Sequence, residues 1–153
     1  MKKVILYIAQ SLDGFIAAKD GSVSWLENFE SSGFGFKEFY SKIGSIVLGN
    51  TTYKQFPDSY KDKPTYVYSR KKKGQKENII FTNKKPQDLL KSITADKDIF
   101  LVGGAKVINL FLNSNAIDEI RLFTMPIILG EGIRLFQGGD FRIDLKIKES
   151  KIL

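Results

Sequence analysis

Apolar positions along this chain fall into two patterns, short unbroken runs and helical spacings. Residues 4–9 form a continuous apolar run that stops at Ser11-Leu12-Asp13-Gly14. Its length and β-branched content predict a strand buried on both faces, as in the middle of a parallel sheet. Residues 46–48, breaking at Gly49, and residues 99–102, running into Gly103-Gly104, have the same character. Residues 65–69, entered from Pro64, and residues 78–82 predict two more strands. Phe36, Phe39, Tyr40 and Ile43 follow the spacing i, i+3, i+4, i+7 and predict an amphipathic helix over 34–43, stopped by Gly44. Further helices are expected over 51–56, over 86–93 with Pro86 at the start, where a missing N–H costs nothing, and around Val107, Ile108, Phe111 and Leu112. Residues 117–129 read as a strand bent at Pro126. Phe141, Ile143, Leu145 and Ile147 alternate strictly with Arg142, Asp144, Lys146 and Lys148, which predicts a half-exposed antiparallel strand at a sheet edge. Strands separated by helices, with no repeat or linker, argue for one α/β domain over residues 1–153.

Composition narrows the chemistry. The 153 residues include no Cys and no His, which excludes disulfides, thiolate nucleophiles, Ser-His-Asp triads and His-liganded zinc. Reactions must then run on carboxylates, Lys, Tyr, hydroxyls, backbone groups or a borrowed cofactor. The formal net charge is +7, and it is concentrated: residues 61–85 hold nine Lys/Arg against Asp62 and Glu77, so the rest of the chain is balanced. Such an excess suits an anionic partner, or forms a solvated lysine-rich loop. The apolar run after Met1-Lys2-Lys3 is too short for a signal peptide, and no stretch approaches a membrane span, so the chain reads as cytoplasmic. Asn50-Thr51-Thr52 fits a glycosylation sequon that is incidental without export.

Three strand ends run into polar or glycine-rich turns: Leu48-Gly49-Asn50-Thr51-Thr52, Tyr68-Ser69-Arg70-Lys71 and Val102-Gly103-Gly104-Ala105-Lys106. In open α/β sheets ligands bind beyond the carboxyl ends of the strands. Glycine lets backbone approach a phosphate, a helix start offers free N–H groups, and hydroxyls and basic side chains complete such a site. Each turn alone also reads as a plain tight turn. Together they point to a dinucleotide, although neither GxGxxG nor a Walker A sequence is present.

The order of these motifs resembles the dihydrofolate reductase-like family, in the branch that includes the reductase domain of riboflavin biosynthesis. The matching pieces are Ser11 to Ala17, Asp20-Gly21, Ser24-Trp25-Leu26, Val47 to Tyr53, Thr65 to Arg70, Ile99 to Val107, Asp118-Glu119-Ile120, Met125 to Gly132 and Leu135-Phe136. They span essentially the whole chain. The resemblance implies a three-layer fold with a central, mostly parallel twisted sheet, helices on both faces and an antiparallel C-terminal edge strand. It also implies NADPH as cofactor. Gly49, Asn50, Thr51 and Thr52 would sit against its phosphates, with Ser69, Arg70 and Lys71 around the 2′-phosphate. Val102, Gly103, Gly104, Ala105, Lys106 and Val107 would hold the pyrophosphate side, with a cis bond between the two glycines. Ala9, Ile16 and Ala17 would border the nicotinamide. Asn50 stands where the family has Arg, which leaves the NADPH preference to Arg70 and its lysine neighbours.

On the substrate side the resemblance calls for a carboxylate a few residues after the tryptophan. Glu30 has the matching spacing and Glu27 is nearby, while an ungapped count back from Gly49 lands on Gly33. Both glutamates also read as solvated loop residues. Asp13 is a second catalytic candidate or half of an Asp-Gly turn, and Glu131 is equally ambiguous. Trp25 either stacks on a flat ring or belongs to the core. The expected activity is hydride transfer from NADPH to a C=N bond of a pterin-like or related nitrogen heterocycle. The alternatives are the riboflavin-pathway reduction of a 5-amino-6-ribosylaminouracil phosphate, where Phe15 replaces a usual polar or basic residue, and a silent NADPH-binding protein. A polyanion-binding module using residues 61–85 with Tyr60, Tyr66 and Tyr68 is the rival from another class. No nucleic-acid, membrane or metal partner is expected, and the branch's habit of pairing admits a homodimer.

Overall fold

The computed structural model describes residues 2–30 and 32–153. Strands are β1 (Val4–Ser11), β2 (Phe15–Ala17), β3 (Ile43–Gly49), β4 (Thr65–Tyr68), β5 (Gly74–Lys76), β6 (Ile79–Thr82), β7 (Asp98–Gly103), β8 (Glu119–Met125) and β9 (Ile133–Arg134). Helices are α1 (Phe36–Ser41), α2 (Asn50–Gln55), α3 (Pro86–Ser92) and α4 (Ala105–Asn113), with 3-10 turns at Ser24–Asn28 and Ser32–Phe34. Seven strands form one sheet in the order β5-β6-β4-β3-β7-β1-β8, and every pairing except β5–β6 is parallel. β2 and β9 form a separate antiparallel pair.

Register explains the three layers. Ile5, Phe100 and Ile46 lie in one row across β1, β7 and β3, and they pack with Phe39 of α1. The next row, Leu6, Leu101 and Val47, turns to the other face and meets Leu89 of α3 and Ile108 and Phe111 of α4. Because successive side chains point to opposite faces, a strand clad on both sides must be apolar throughout. That is why the runs in β1, β3 and β7 do not alternate. Among the described residues no helix is long and apolar enough to cross a membrane.

Three expectations fail. The helix expected over 34–43 is confined to Phe36–Ser41, and Gly44 does not stop it but lies inside β3, where a Cβ would come within 2.6 Å of Lys97 Cβ. Ile43 belongs to that strand's buried face, so its helical spacing from Phe36 is coincidental. The strand expected over 117–129 ends at Met125 instead of bending at Pro126, whose missing N–H cannot continue a ladder. The antiparallel C-terminal edge strand is absent: residues 141–148 are in no strand, and the sheet ends at β8. The antiparallel edge is β5, inside the basic segment. Alternation encodes which face is apolar, whereas a strand also needs a partner for its backbone groups.

Phe111 sits at the centre of the α3–α4 layer, fully buried and edge-on to Tyr68 with ring centroids 5.9 Å apart. Phe111→Ala is expected to lower unfolding free energy by about 3–5 kcal/mol, read from urea denaturation.

Candidate active site

β4, β3 and β7 are adjacent and parallel, so the three turns noted in the sequence leave the sheet side by side. Gly49 pairs with Tyr68 of β4, and Leu48 pairs with Gly103 of β7. The peptide between Gly103 and Gly104 is cis, as the resemblance implied, and Gly103 has φ 131°, a region that favours glycine. The two glycine turns touch. A Cβ on Gly49 would lie 3.1 Å from Val107 Cγ2, and one on Gly104 would lie 3.4 Å from Thr52 Oγ1. α4 begins at Ala105 with no side-chain cap, and its first helical bond runs from Ile108 N–H to Gly104 O. The N–H groups of Ala105, Lys106 and Val107 therefore face away from the helix without intrahelical acceptors. Ala105 and Val107 are buried, Val102 and Asn50 are half-buried, and Thr51 and Lys106 are exposed.

Two polar atoms along this ledge, Asn50 Oδ1 and Tyr68 Oη, are buried without hydrogen-bond partners among the described residues. Burial pushes the Tyr68 phenol above its ordinary range, so at neutral pH it is a protonated donor with nothing to donate to. In the sequence analysis the Tyr68 phenol has no part in a cofactor site; its place as the last strand residue before Ser69 is the signal that marks it. Ser69 N–H donates to Thr82 O at 3.0 Å, and Ser69 Oγ accepts from Lys72 N–H at 3.0 Å, which folds the loop after β4. Arg70 and Lys71 are exposed on that loop and form no ion pair with a described residue. Lys72 Nζ lies 5.4 Å from the Phe81 ring centroid.

The proposed ring-side residues fall on two elements. Ala9 is opposite Phe123 in the β1–β8 ladder. Ile16 and Ala17 are in β2, and Phe15 beside them is covered by the Arg134 guanidinium of β9 at 4.8 Å. Trp25 is buried on the 3-10 turn, and its Nε1 has no partner among the described residues. Glu27 and Glu30 are exposed, and neither forms a hydrogen bond or ion pair with a described residue. Glu131 is exposed and pairs with Lys19 at 2.8 Å.

Asp13 is a clasp. Its Oδ1 accepts from Ser11 Oγ–H at 2.6 Å and from Leu129 N–H at 3.1 Å, and its Oδ2 accepts from Gly130 N–H at 2.8 Å. Leu135 N–H donates to Gly14 O, and β9 pairs with β2, so the clasp fastens residues 129–135 onto residues 13–17. The Ser11 hydroxyl and the two backbone donors hold the Asp13 carboxyl below its ordinary value of 3.8, against a smaller opposing effect of desolvation. A lowered native pKa contributes stability that is present above the unfolded value and lost as pH falls through the native one. Asp13→Asn is expected to be less stable than wild type at neutral pH, with the gap closing as pH falls below the ordinary carboxyl value of 3.8. Urea denaturation at both pH values checks this.

The sequence matches the RibD C-terminal domain model over residues 2–153. The uncharacterised protein YwjB of Bacillus subtilis is 36% identical, with 98% of this chain and 91% of that protein covered. A putative riboflavin biosynthesis protein from Shewanella sp. PV-4 superposes with TM-score 0.87 at 25% identity, covering 98% of this chain and 92% of that one. Dihydrofolate reductase from Enterococcus faecalis, complexed with NADP(H), superposes with TM-score 0.66 at 20% identity over 90% of this chain and 79% of that one, a likeness of fold. With the sheet order, the cis diglycine turn and the paired strand ends in place, the chain belongs to the RibD C-terminal domain family.

Proposed function

We propose that this protein is a riboflavin-pathway-type reductase that binds NADPH across the ends of β3, β4 and β7 and reduces a C=N bond of a flat nitrogen heterocycle or ribosylamine-type imine. The observation that carries the reading is the ledge itself, two abutting glycine turns and an uncapped helix start beside an unpaired basic loop. Family and fold neighbours that are reductases support an oxidoreductase.

The residues present fit the cofactor. Gly49, Gly103 and Gly104 keep Cβ atoms out of the place where backbone must meet a pyrophosphate. The free N–H groups of α4 and the hydroxyls of Thr51 and Thr52 would hold that pyrophosphate, and Ser69, Arg70 and Lys71 would hold the 2′-phosphate. Tyr68 Oη and the Asn50 amide are the buried polar groups that a bound dinucleotide would satisfy. When bound, NADPH supplies the hydride from its nicotinamide ring. Ala9, Ile16 and Ala17 would border that ring and keep water from it, which would fix the approach of the acceptor. Glu30 or water delivers the proton; Asp13 is already engaged by three donors and acts as a fastener. Phe15 lacks the polar or basic group usual in the branch at its position, but Arg134 lies over it and is exposed, so a cation would still face a phosphorylated substrate there.

Trp25 is the single tryptophan and reports binding through its fluorescence. Titration with NADPH is expected to quench it at lower concentration than NADH, with the difference shrinking in high salt. The double variant Arg70→Ala, Lys71→Ala is expected to weaken NADPH binding by about tenfold or more while leaving NADH nearly unchanged. NADPH consumption with a ribosylaminopyrimidine phosphate and with dihydrofolate then sorts the substrate class. Failure of both cofactors to bind at millimolar concentration, by fluorescence and by calorimetry, overturns the reading.

A further inference from the structure

The chain's excess charge extends well past Arg70 and Lys71. Residues 70–85 hold seven basic residues against Glu77 alone. Lys72, Lys73, Lys76, Lys84 and Lys85 are the remainder, all exposed and without an ion pair to a described residue. They surround the β5 edge of the sheet, whose outer side has no strand partner among the described residues. Lys76 is opposite Ile79, in the row of Thr65 where β4 begins, while Tyr68 and Thr82 form the row at the rim. At about 3.3 Å per residue, positive charge runs roughly 10 Å down the edge from the ledge. Edge lysines deter stray strand pairing, but that needs charge on the strand, and of these five only Lys76 is in β5. On the α3 face of the same edge lies a cleft of about 310 Å³. Tyr66 and Ile80, paired across β4 and β6, and the buried Leu89 of α3 form its apolar side, while Gln75, Lys84 and Ser92 are exposed at its mouth. Such a volume is at the small end of ligand clefts and admits one flat ring.

We infer that this edge binds single-stranded nucleic acid, with phosphates along the five lysines and one base in the cleft beside Tyr66. Lysine is a compact point charge on a flexible stem, and it follows a flexible phosphate chain without demanding a fixed fork geometry. Aromatic and apolar surface beside such charge takes a base by its face, whatever its identity. A duplex fits poorly because its base faces are already stacked, and a membrane surface because an anionic headgroup layer offers no ring to the cleft. In the sequence this stretch reads as a rival to the dinucleotide site, and no nucleic-acid partner is expected. In the fold they are two places. The ledge crosses the ends of β3, β4 and β7, whereas the cleft lies on the flank of β4 and β6 beside α3, so the two ligands need not compete.

This inference stands apart from the reductase reading. Labelled oligouridylate and oligothymidylate of about 12 nucleotides are titrated with the full chain by fluorescence anisotropy, and the tighter of the two identifies RNA or DNA as the source. Affinity is expected to fall with salt at a logarithmic slope of about −2 to −3.5, as for roughly three to five phosphates neutralised on a single strand. A duplex of equal length and an abasic strand of equal charge are each expected to bind at least about tenfold more weakly. The double variant Lys73→Gln, Lys76→Gln alters only exposed side chains, so its thermal unfolding by circular dichroism should match wild type. Its salt slope is expected to flatten by about 1.4. Saturating NADPH is expected to leave the oligonucleotide bound. No binding to either strand at low salt overturns the inference, whether or not phosphatidylserine vesicles bind instead. So does equal affinity for the duplex or the abasic strand, which reduces the edge to a general polyanion surface. Displacement by NADPH, which moves the contact to the ledge, or a double variant that binds as wild type does, overturns it as well.

Discussion

A strand covered on both faces has only its sheet neighbours to satisfy its backbone, and this constraint organises the molecule. β3 and β7 lie at the centre, with Val47, Leu48 and Leu101 removed from solvent. Because their neighbours run parallel, the chain must return to the same end before each new parallel strand, and it does so through α1, α2, β5, α3 and α4. All exits then fall on one rim. The ledge made by Gly49, Tyr68 and Gly103 is a product of that parallel order, and the glycines decide only how closely its parts approach.

The central strands and α4 were legible in the sequence because burial on two faces leaves an uninterrupted apolar run, and a core-facing helix leaves a spacing of three and four. β2 and β9 were not legible, since two or three residues carry no period and their pairing depends on the Asp13 clasp formed more than a hundred residues away. Residues 141–148 failed in the opposite way: the period is present, and the partner is missing. The ledge of three strand ends was readable because each of its turns follows a recognisable strand. The roles of the candidate carboxylates were not readable, because Asp13, Glu27 and Glu30 all lie outside the strands and α-helices that the apolar pattern marks. Only contacts separate Asp13, bound three times, from the two exposed glutamates.

A chain with neither His nor Cys has little acid–base capacity near neutral pH, and the site reflects it. Its fixed features are backbone amides, hydroxyls and a neutral phenol, groups that orient and stabilise charge without titrating. The titrating carboxylate nearest the first strand end is spent on architecture. This division suits a reaction in which a bound dinucleotide carries the redox chemistry and the protein supplies geometry.

The contact between the two glycine turns has an evolutionary side. Val107 Cγ2 already stands against the space where position 49 would grow a side chain. The pair shares a fixed volume across elements far apart in sequence. A lineage that enlarges position 49 must trim position 107, so the two are expected to drift as exchanging partners rather than as independent sites.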